Sequence, residues 1–189
     1  MDDREEALRQ ITIDLDKAGF TRICGFTLED AEADLAAYLS LLEGGPSELD
    51  LQRFLTSRPR NFLGERGSQC RWVKAHPYLG NQFMPDFLTV RIDSNPLIRW
   101  TLVEIQRPDA GLFTQDRRKR TTEQFDEGMR QIIEWRDWLS ENSDYAQKAR
   151  ARQGLGLTGL TAQADGLILI GRRRKNLTCE ECKLIASFT

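Results

Sequence analysis

The sequence is poor in histidine and in long apolar runs, and both shortages narrow the range of functions. Its 189 residues include one histidine, His76, so histidine-centred catalysis is disfavoured and a structural role is predicted for this residue. No apolar stretch approaches the roughly 20 residues of a membrane-spanning helix. The N-terminus is acidic and lacks the basic start and apolar run of a secretory signal. We therefore expect a cytoplasmic protein with no membrane partner.

Cysteine is also scarce: the four cysteines are Cys24, Cys70, Cys179 and Cys182. In a cytoplasmic protein they are predicted to be thiols rather than disulfides. Cys179 and Cys182 have the C-x-x-C spacing of half a zinc site, but the chain has no second pair of this kind. Incidental thiols are the favoured interpretation. A zinc-stabilised interaction module built around these two cysteines remains an alternative.

Charge of one sign does not dominate the chain. Its 27 Lys and Arg against 29 Asp and Glu give a formal net charge of −2, so total charge does not indicate a nucleic-acid partner. Two tracts are locally very basic, one at 172–175 and one formed by Arg117, Arg118, Lys119 and Arg120. A nucleic acid would have to be held by such local patches. For either tract alone, a solvated loop or helix end is the alternative.

The N-terminal quarter is predicted to be helical. Apolar residues recur at helical spacing over residues 3–18 and 27–43, and the second segment opens with the capping-box pattern T-L-E-D. The sequence G-G-P then ends this region. Residues 1–45 are therefore predicted to form an N-terminal helical appendage, and residues 46–189 the main domain.

The main domain is predicted to alternate helices and strands. A helix begins after Ser47 and ends before Pro59, and a turn at Asn95-Pro96 makes a hairpin of the two strands beside it. This order indicates an α/β sandwich. The predicted elements after the helix are strands at 69–76, 85–93 and 99–106, a helix at 121–140, and strands at 166–171 and 184–188.

Polar residues stand at matching ends of the two hairpin strands. Asp86 begins one strand, while Glu104 and Gln106 end the next and share a face, with Ile105 pointing into the core. A hard divalent cation such as Mg²⁺ or Mn²⁺ prefers oxygen ligands, which Asp86, Glu104 and the Ile105 carbonyl can supply. Such an ion activates water and neutralises charge on a reacting phosphodiester, and Gln106 would position water or phosphate.

This arrangement resembles the PD-(D/E)xK nuclease motif, with glutamine in place of the usual lysine. Glu48 resembles the extra acidic residue that precedes the first core strand of these nucleases. Gln131 and Trp135 resemble their Q-x-x-x-Y element, with tryptophan replacing tyrosine. The resemblance implies a restriction-endonuclease-like core, in which a central mixed sheet is flanked by helices.

More closely, the chain resembles the Shedu family of anti-phage nucleases. The matching stretches are ELDLQRFLTSRPRNFLG, MPDFLTV, LVEIQRPDAGLFTQ, QFDEGMRQIIEWRDWL and ADGLILIGRR, in this order. The resemblance implies a magnesium-dependent DNA endonuclease of phage defence that works as a homo-oligomer. In it, Glu48 assists the metal site, Gln131 supports it, and Arg107 and the tract 117–120 contact phosphates.

Each of these residues also has a structural interpretation. Arg107 could make Glu104 a salt-bridge residue, and the helix dipole alone favours an acid such as Glu48 in a first turn. Gln131 could tie a helix to the sheet. At the level of the whole chain, the alternative is a nuclease fold that has lost catalysis and binds DNA or a protein, with Gln106 marking the loss.

Overall fold

The protein, seen as a computed structural model that describes residues 3–25, 27–62, 70–92, 98–115 and 118–171, is a mixed α/β structure around one five-stranded sheet. The strand order is β1-β2-β3-β4-β5, antiparallel throughout except for the parallel pair β4 and β5. The strands are β1 (Thr21–Ile23), β2 (Arg71–Ala75), β3 (Phe87–Ile92), β4 (Ile98–Ile105) and β5 (Asp165–Leu169), and the α-helices are α1 (Asp3–Lys17), α2 (Leu28–Glu43), α3 (Glu48–Ser57) and α4 (Glu123–Gln147). The predicted mixed sheet flanked by helices is confirmed.

Two helices begin at capping boxes that can be recognised in the sequence. Thr27 accepts a hydrogen bond from the backbone of Asp30, whose carboxylate accepts one from the backbone of Thr27 in return. Ser47 and Asp50 repeat the arrangement at the start of α3. Each box satisfies backbone N–H groups that a helix start leaves unpaired. The box at Ser47 matters for function because it fixes where Glu48 enters the structure.

The predicted hairpin forms, and its register brings Asp86 opposite the end of β4. The first pair of the β3–β4 ladder, next to the turn, is Ile92 with Ile98, and the last pair is Phe87 with Val103. Asp86 lies one residue before this ladder, and Ile105 lies two residues beyond its last partner on β4. The turn itself, at 93–97, lies outside the described residues.

Apolar residues fill both faces of the sheet. All four tryptophans of the chain are buried on the face covered by α1 and α4, at positions 72, 100, 135 and 138. The other face packs Leu51, Phe54 and Leu55 of α3 against strand residues that include Val103 and Ile105. A large buried ring or branched side chain stabilises by roughly 1.5–3 kcal/mol. The sheet between these two layers is therefore a rigid base for the residues at its ends.

α4 crosses over the sheet and returns the chain to β5. It runs from Glu123 to Gln147, further than predicted, with one non-helical residue at Asn142. Gly166 of β5 lies directly under Ile132 of α4. If alanine replaced Gly166, its Cβ would be 2.7 Å from Cγ2 of Ile132. This close approach holds α4, and with it Gln131, against the end of the sheet.

Two features of the N-terminal region were not predicted. Thr21–Ile23 forms edge strand β1, too short for a periodic pattern, inside the region predicted to be helical. Cys24 and Cys70 form a disulfide, so the prediction of free thiols is wrong for this pair. The pairing of β1 with β2 brings the two cysteines together, and no spacing in the sequence could show that. The proposed domain boundary at residue 45 stays a prediction.

Several predictions concern residues outside the described part of the chain. They are the strand at 184–188, the cysteines Cys179 and Cys182, the basic tract at 172–175, and Arg117. No helix of the described ranges combines the length and apolarity needed to cross a membrane.

The contact between Gly166 and Ile132 predicts a specific loss of stability. Gly166→Ala should lower the free energy of unfolding by about 1–3 kcal/mol, because the added methyl must displace a side chain in a packed core. Denaturant unfolding measures the change. The control is Gly44→Ala, where φ is −71° and the nearest atom, the Leu41 carbonyl oxygen, is 3.4 Å from the new Cβ. Equal stability of the two variants would contradict the assigned contact.

Candidate active site

The end of β4 presents two polar side chains in a nearly dry position. Glu104 and Gln106 are 6% and 7% exposed, while Ile105 between them is fully buried on the α3 side. The Gln106 N–H donates to the Leu169 carbonyl of β5 at 2.8 Å, so hydrogen bonding to β5 continues one residue beyond the end of β4. The predicted sharing of one face by Glu104 and Gln106 is confirmed.

The Asp86 carboxylate is held by a donor at each oxygen. Oδ2 accepts from the backbone N–H of Ile105 at 2.7 Å, and Oδ1 accepts from the Gln52 side-chain amide at 2.6 Å. The backbone is held as well, since the Asp86 carbonyl accepts from the N–H of His76 at 2.9 Å. Asp86 therefore has one fixed orientation beside Glu104, as predicted from the hairpin.

The Ile105 N–H is available to Asp86 because the β3–β4 ladder has already ended. Its last partners are Phe87 and Val103, so Ile105 has no strand partner on that side. In a strand the N–H and the C=O of one residue point to the same side. The Ile105 carbonyl therefore faces the same side as Asp86, where the sequence predicted a backbone ligand.

Three acids in this region have raised pKa values. Burial raises the pKa of Glu104 to about 8, with further contributions from the charges of Asp86 and Glu48. Burial also raises the pKa of Asp86, although the Ile105 N–H, the His76 ring and a hydrogen bond with Glu104 oppose it. Burial and the Asp86 charge raise the pKa of Glu48. The cluster thus attracts positive charge.

Gln106 connects the acids to α4. Its amide nitrogen lies 3.2 Å from Glu104 Oε1 and 3.4 Å from Gln131 Oε1, so Gln131 reaches the site as predicted. One turn earlier, Gly128 lets the helix come close: a Cβ there would lie 3.4 Å from the Gln106 side chain and 3.2 Å from that of Ile168. Trp135, the partner of Gln131 in the predicted element, is buried in the core.

Gln52 also contacts the acids of the candidate site, although the sequence analysis did not single it out. Besides its bond to Asp86, its amide lies 3.5 Å from Glu48 Oε1, so it stands between the two acids. The signal was present, because Gln52 follows Glu48 by four residues on one face of a helix. What the sequence could not show was that this face meets Asp86, 34 residues away.

Arg107 is engaged by a neighbour rather than by Glu104. Its guanidinium donates to both oxygens of Asp109, at 3.1 and 2.7 Å, so the alternative that Glu104 is its salt-bridge partner is wrong. Both side chains are well exposed. They line an open cleft of about 580 Å³ whose opposite wall is the start of α3 and includes Glu48. Of the three acids with raised pKa values, Glu48 alone lines this cleft.

The rest of the predicted phosphate-contacting tract lies in the loop before α4. Arg118 is exposed, the Lys119 ammonium donates to the Thr114 carbonyl at 3.2 Å, and the Arg120 N–H donates to the Thr114 hydroxyl. These residues are held on one short loop, and their contact with phosphates stays a prediction.

A comparison with protein families bears on the same part of the chain. The family described as "Shedu protein SduA, C-terminal" matches residues 45–188, about three quarters of the sequence. The chain belongs to the Shedu family. No curated protein and no solved structure matches it. The Shedu region contains every site residue described above, from Glu48 to Gln131.

The oxygen atoms of this Shedu site suit one kind of ion. Within the described ranges, no three His, Cys, Asp or Glu side chains are grouped closely enough to hold a metal by themselves. The available donors are two carboxylates, Asp86 and Glu104, and the Ile105 carbonyl. Mg²⁺ usually takes one or two carboxylates and completes its shell with water and substrate. The donor set fits such a hard cation and not a tetrahedral zinc site of nitrogen and sulfur ligands.

The raised pKa of Glu104 predicts that the metal-free Shedu chain loses stability as pH rises. Between the ordinary pKa of 4.5 and about 8, the folded chain keeps a proton that the unfolded chain has lost. The penalty therefore grows through this window and is complete above pH 8. Glu104→Gln should remove it and stabilise the protein near pH 9, compared with wild type, by at least about 1 kcal/mol, since each unit of pKa shift corresponds to about 1.4 kcal/mol and water contact reduces the effect.

Urea unfolding in EDTA at about pH 5 and about pH 9 tests this sign. The control is Glu134→Gln, an exposed acid on α4. The assignment is wrong if the difference in stability between Glu104→Gln and wild type is the same at both pH values.

The position of Gln52 predicts an effect on metal affinity. Gln52→Leu removes the donor to Asp86 Oδ1 and should lower the affinity for Mn²⁺ or Mg²⁺ by about 10–100-fold, the usual effect of losing a residue that orients a ligand. Calorimetric titration of the metal ion measures it. Gln163→Leu, at an exposed position, is the control. Unchanged affinity in Gln52→Leu would mean that Asp86 needs no such support.

Proposed function

We propose that this Shedu chain is a metal-dependent endonuclease that hydrolyses phosphodiester bonds of DNA in bacterial anti-phage defence. The observation that carries the proposal is the arrangement of Asp86, Glu104 and the Ile105 carbonyl. The two carboxyl groups lie at one end of the sheet, on the side that the Ile105 carbonyl faces. Burial raises the pKa values of both, and repulsion by the charges of Asp86 and Glu48 raises that of Glu104 further. A bound cation relieves that repulsion, so the arrangement is better explained by a metal site than by a structural role.

The acidic side chains would act by being held in fixed positions and by exchanging a proton for the metal ion. A bound Mg²⁺ would activate water and neutralise charge on the reacting phosphate. Asp86 is already oriented by Ile105 and Gln52, so little ordering is left for the bound state. Glu104 must give up its proton to become a ligand. Glu48, on the wall of the cleft, adds negative charge that would favour a bound cation, and the same charge raises the pKa of Glu104.

The proposed core is restriction-endonuclease-like. An antiparallel hairpin, a crossover helix and a parallel strand follow each other, and the acids stand at adjacent strand ends. This is the organisation that the resemblance to PD-(D/E)xK nucleases implies.

The proposal extends to partners and location. DNA would enter by the cleft beside Glu48 and Arg107, and Arg118, Lys119 and Arg120 would contact its phosphates at the start of α4. Arg107 would have to exchange Asp109 for a phosphate, which a bidentate guanidinium can bind with the same geometry. We propose a cytoplasmic homo-oligomer, as the family resemblance implies.

A second candidate function is DNA or protein binding without catalysis. One observation favours it: the Gln106 amide nitrogen is directed at Glu104 and Gln131, so both of its N–H groups are engaged within the site. In this arrangement Gln106 has no donor for water or phosphate. Catalysis requires that metal binding to Glu104 release one of these bonds.

Cleavage assays distinguish the two candidates. We expect the wild type to cut linear, nicked or single-stranded DNA with Mg²⁺ or Mn²⁺ and to be inactive in EDTA. Asp86→Asn and Glu104→Gln should each lower the rate by about a hundredfold or more, because each removes a metal ligand while keeping the shape of the side chain.

The matched control is Glu134→Gln, which should cleave like the wild type because this acid is exposed on α4, away from the sheet. Equal activity of all variants would contradict the proposed ligands. Intact DNA binding without cleavage by the wild type would favour the second candidate, and Gln106→Lys would then test whether a lysine restores activity.

A further inference from the structure

The loop that connects β2 to β3, residues 76–85, alternates buried and exposed side chains. Pro77, Leu79 and Pro85 are fully buried, whereas Tyr78 is 66% exposed and Met84 is 47% exposed. This alternation matches two extended legs with one face against the protein. The loop ends at Asp86, and Met84 lies only two residues before this site residue.

The loop is held firmly in place. Leu79 and Phe83 form an antiparallel bridge with hydrogen bonds in both directions, at 2.8 and 3.4 Å. At the tip, Gly80 has φ of +62° and packs on α4, where the Trp138 ring would be 2.9 Å from an added Cβ. A loop tied down in this way presents its outer side chains in one position, so binding costs little ordering of the backbone.

Tyr78 and Met84 form a pair on the outer face. The bridge between Leu79 and Phe83 places Tyr78 opposite Met84, and side chains that are opposite in an antiparallel pair are neighbours on one face. Both are large apolar side chains that the fold leaves in water. Leu79, next to Tyr78, and Pro85, next to Met84, are in contrast fully buried, so the loop turns these two large side chains outward.

We propose that Tyr78, with Met84 beside it, is a stacking surface for an unpaired base of the DNA strand next to the phosphodiester held at Asp86. This inference rests on the proposed function. Every base has a flat face that an aromatic side chain can cover whatever the sequence, and a methionine can support the edge or enter a base step. The surface would favour DNA with a nick, a bulge or a frayed end over continuous duplex.

The size of the surface favours a base over a protein partner. A specific protein interface buries about 1,200 Å² or more in total, with some 20–30 residues on each side. Tyr78 and Met84 are two side chains beside an acidic site, which is far less. One nucleotide base, in contrast, is matched by one aromatic ring and one flexible neighbour.

The test uses duplex DNA with one unpaired 2-aminopurine and a continuous duplex of the same sequence, both with the wild type in Ca²⁺ to slow cleavage. Stacking on Tyr78 should quench the fluorescence of the unpaired base. Tyr78→Ala should abolish the quenching and weaken binding of this DNA about 5–100-fold, while binding of continuous duplex changes little. Tyr78→Phe should restore both properties to within about twofold of wild type, since the ring carries the effect.

The control is Tyr145→Ala, which removes another exposed tyrosine, on the far half of α4. The inference is overturned if Tyr78→Ala still quenches the 2-aminopurine fluorescence and binds this DNA as tightly as wild type. It is also overturned if Tyr78→Ala changes the oligomeric mass and leaves DNA binding intact, which would make the loop a protein contact. In either case metal-dependent cleavage would still support the proposed function. Failure of the wild type to bind or cleave any of these DNAs would overturn both proposals.

Discussion

One hydrogen bond, from the Ile105 backbone to the Asp86 carboxylate, organises the candidate site. It exists because the β3–β4 ladder ends two residue pairs before Ile105, which leaves the Ile105 N–H without a strand partner on that side. The Asp86 carboxylate accepts the hydrogen bond instead, and the Gln52 amide on α3 donates a second hydrogen bond to its other oxygen. A buried N–H without a partner would be costly, so this bond is favoured by folding itself. In consequence the start of β3, the end of β4 and the face of α3 are fixed relative to one another before any ligand is present.

The same geometry places three acids where ordinary packing would avoid them. A buried carboxylate is unfavourable without a partner, and here the nearest side-chain donors are the neutral amides of Gln52 and Gln106. Arg107, the arginine closest in sequence, is bonded to Asp109 instead. The two apolar layers of the sheet supply the stability that permits this. The fold therefore holds a cluster of acidic side chains in place, and either a proton on Glu104 or a bound cation would reduce the cost of burying them.

Much of this arrangement was readable from the sequence because the signals were local. The capping boxes at Thr27 and Ser47 mark helix starts, and alternating residues followed by a turn mark the hairpin that brings Asp86 to Glu104. Contacts between distant segments were not readable. Gln52 meets Asp86 across 34 residues, and Cys24 meets Cys70 across 46, only because α3 and β1 dock on the sheet. Gln131 was placed by a family pattern rather than by physics, although the structure gives a physical reason, the close approach of α4 at Gly128.

The glutamine at position 106 changes what the site requires. A lysine there would place a positive charge beside Glu104 and lower its pKa. Gln106 can donate only neutral hydrogen bonds, so the pKa of Glu104 stays at about 8 and Glu104 itself is largely protonated at neutral pH. In the proposed metal site, binding of the ion would have to displace a proton, which would couple affinity for the ion to pH more strongly than in a lysine-containing site. With glutamine at position 106, a positive charge beside Glu104 would have to come from a bound ligand rather than from the protein.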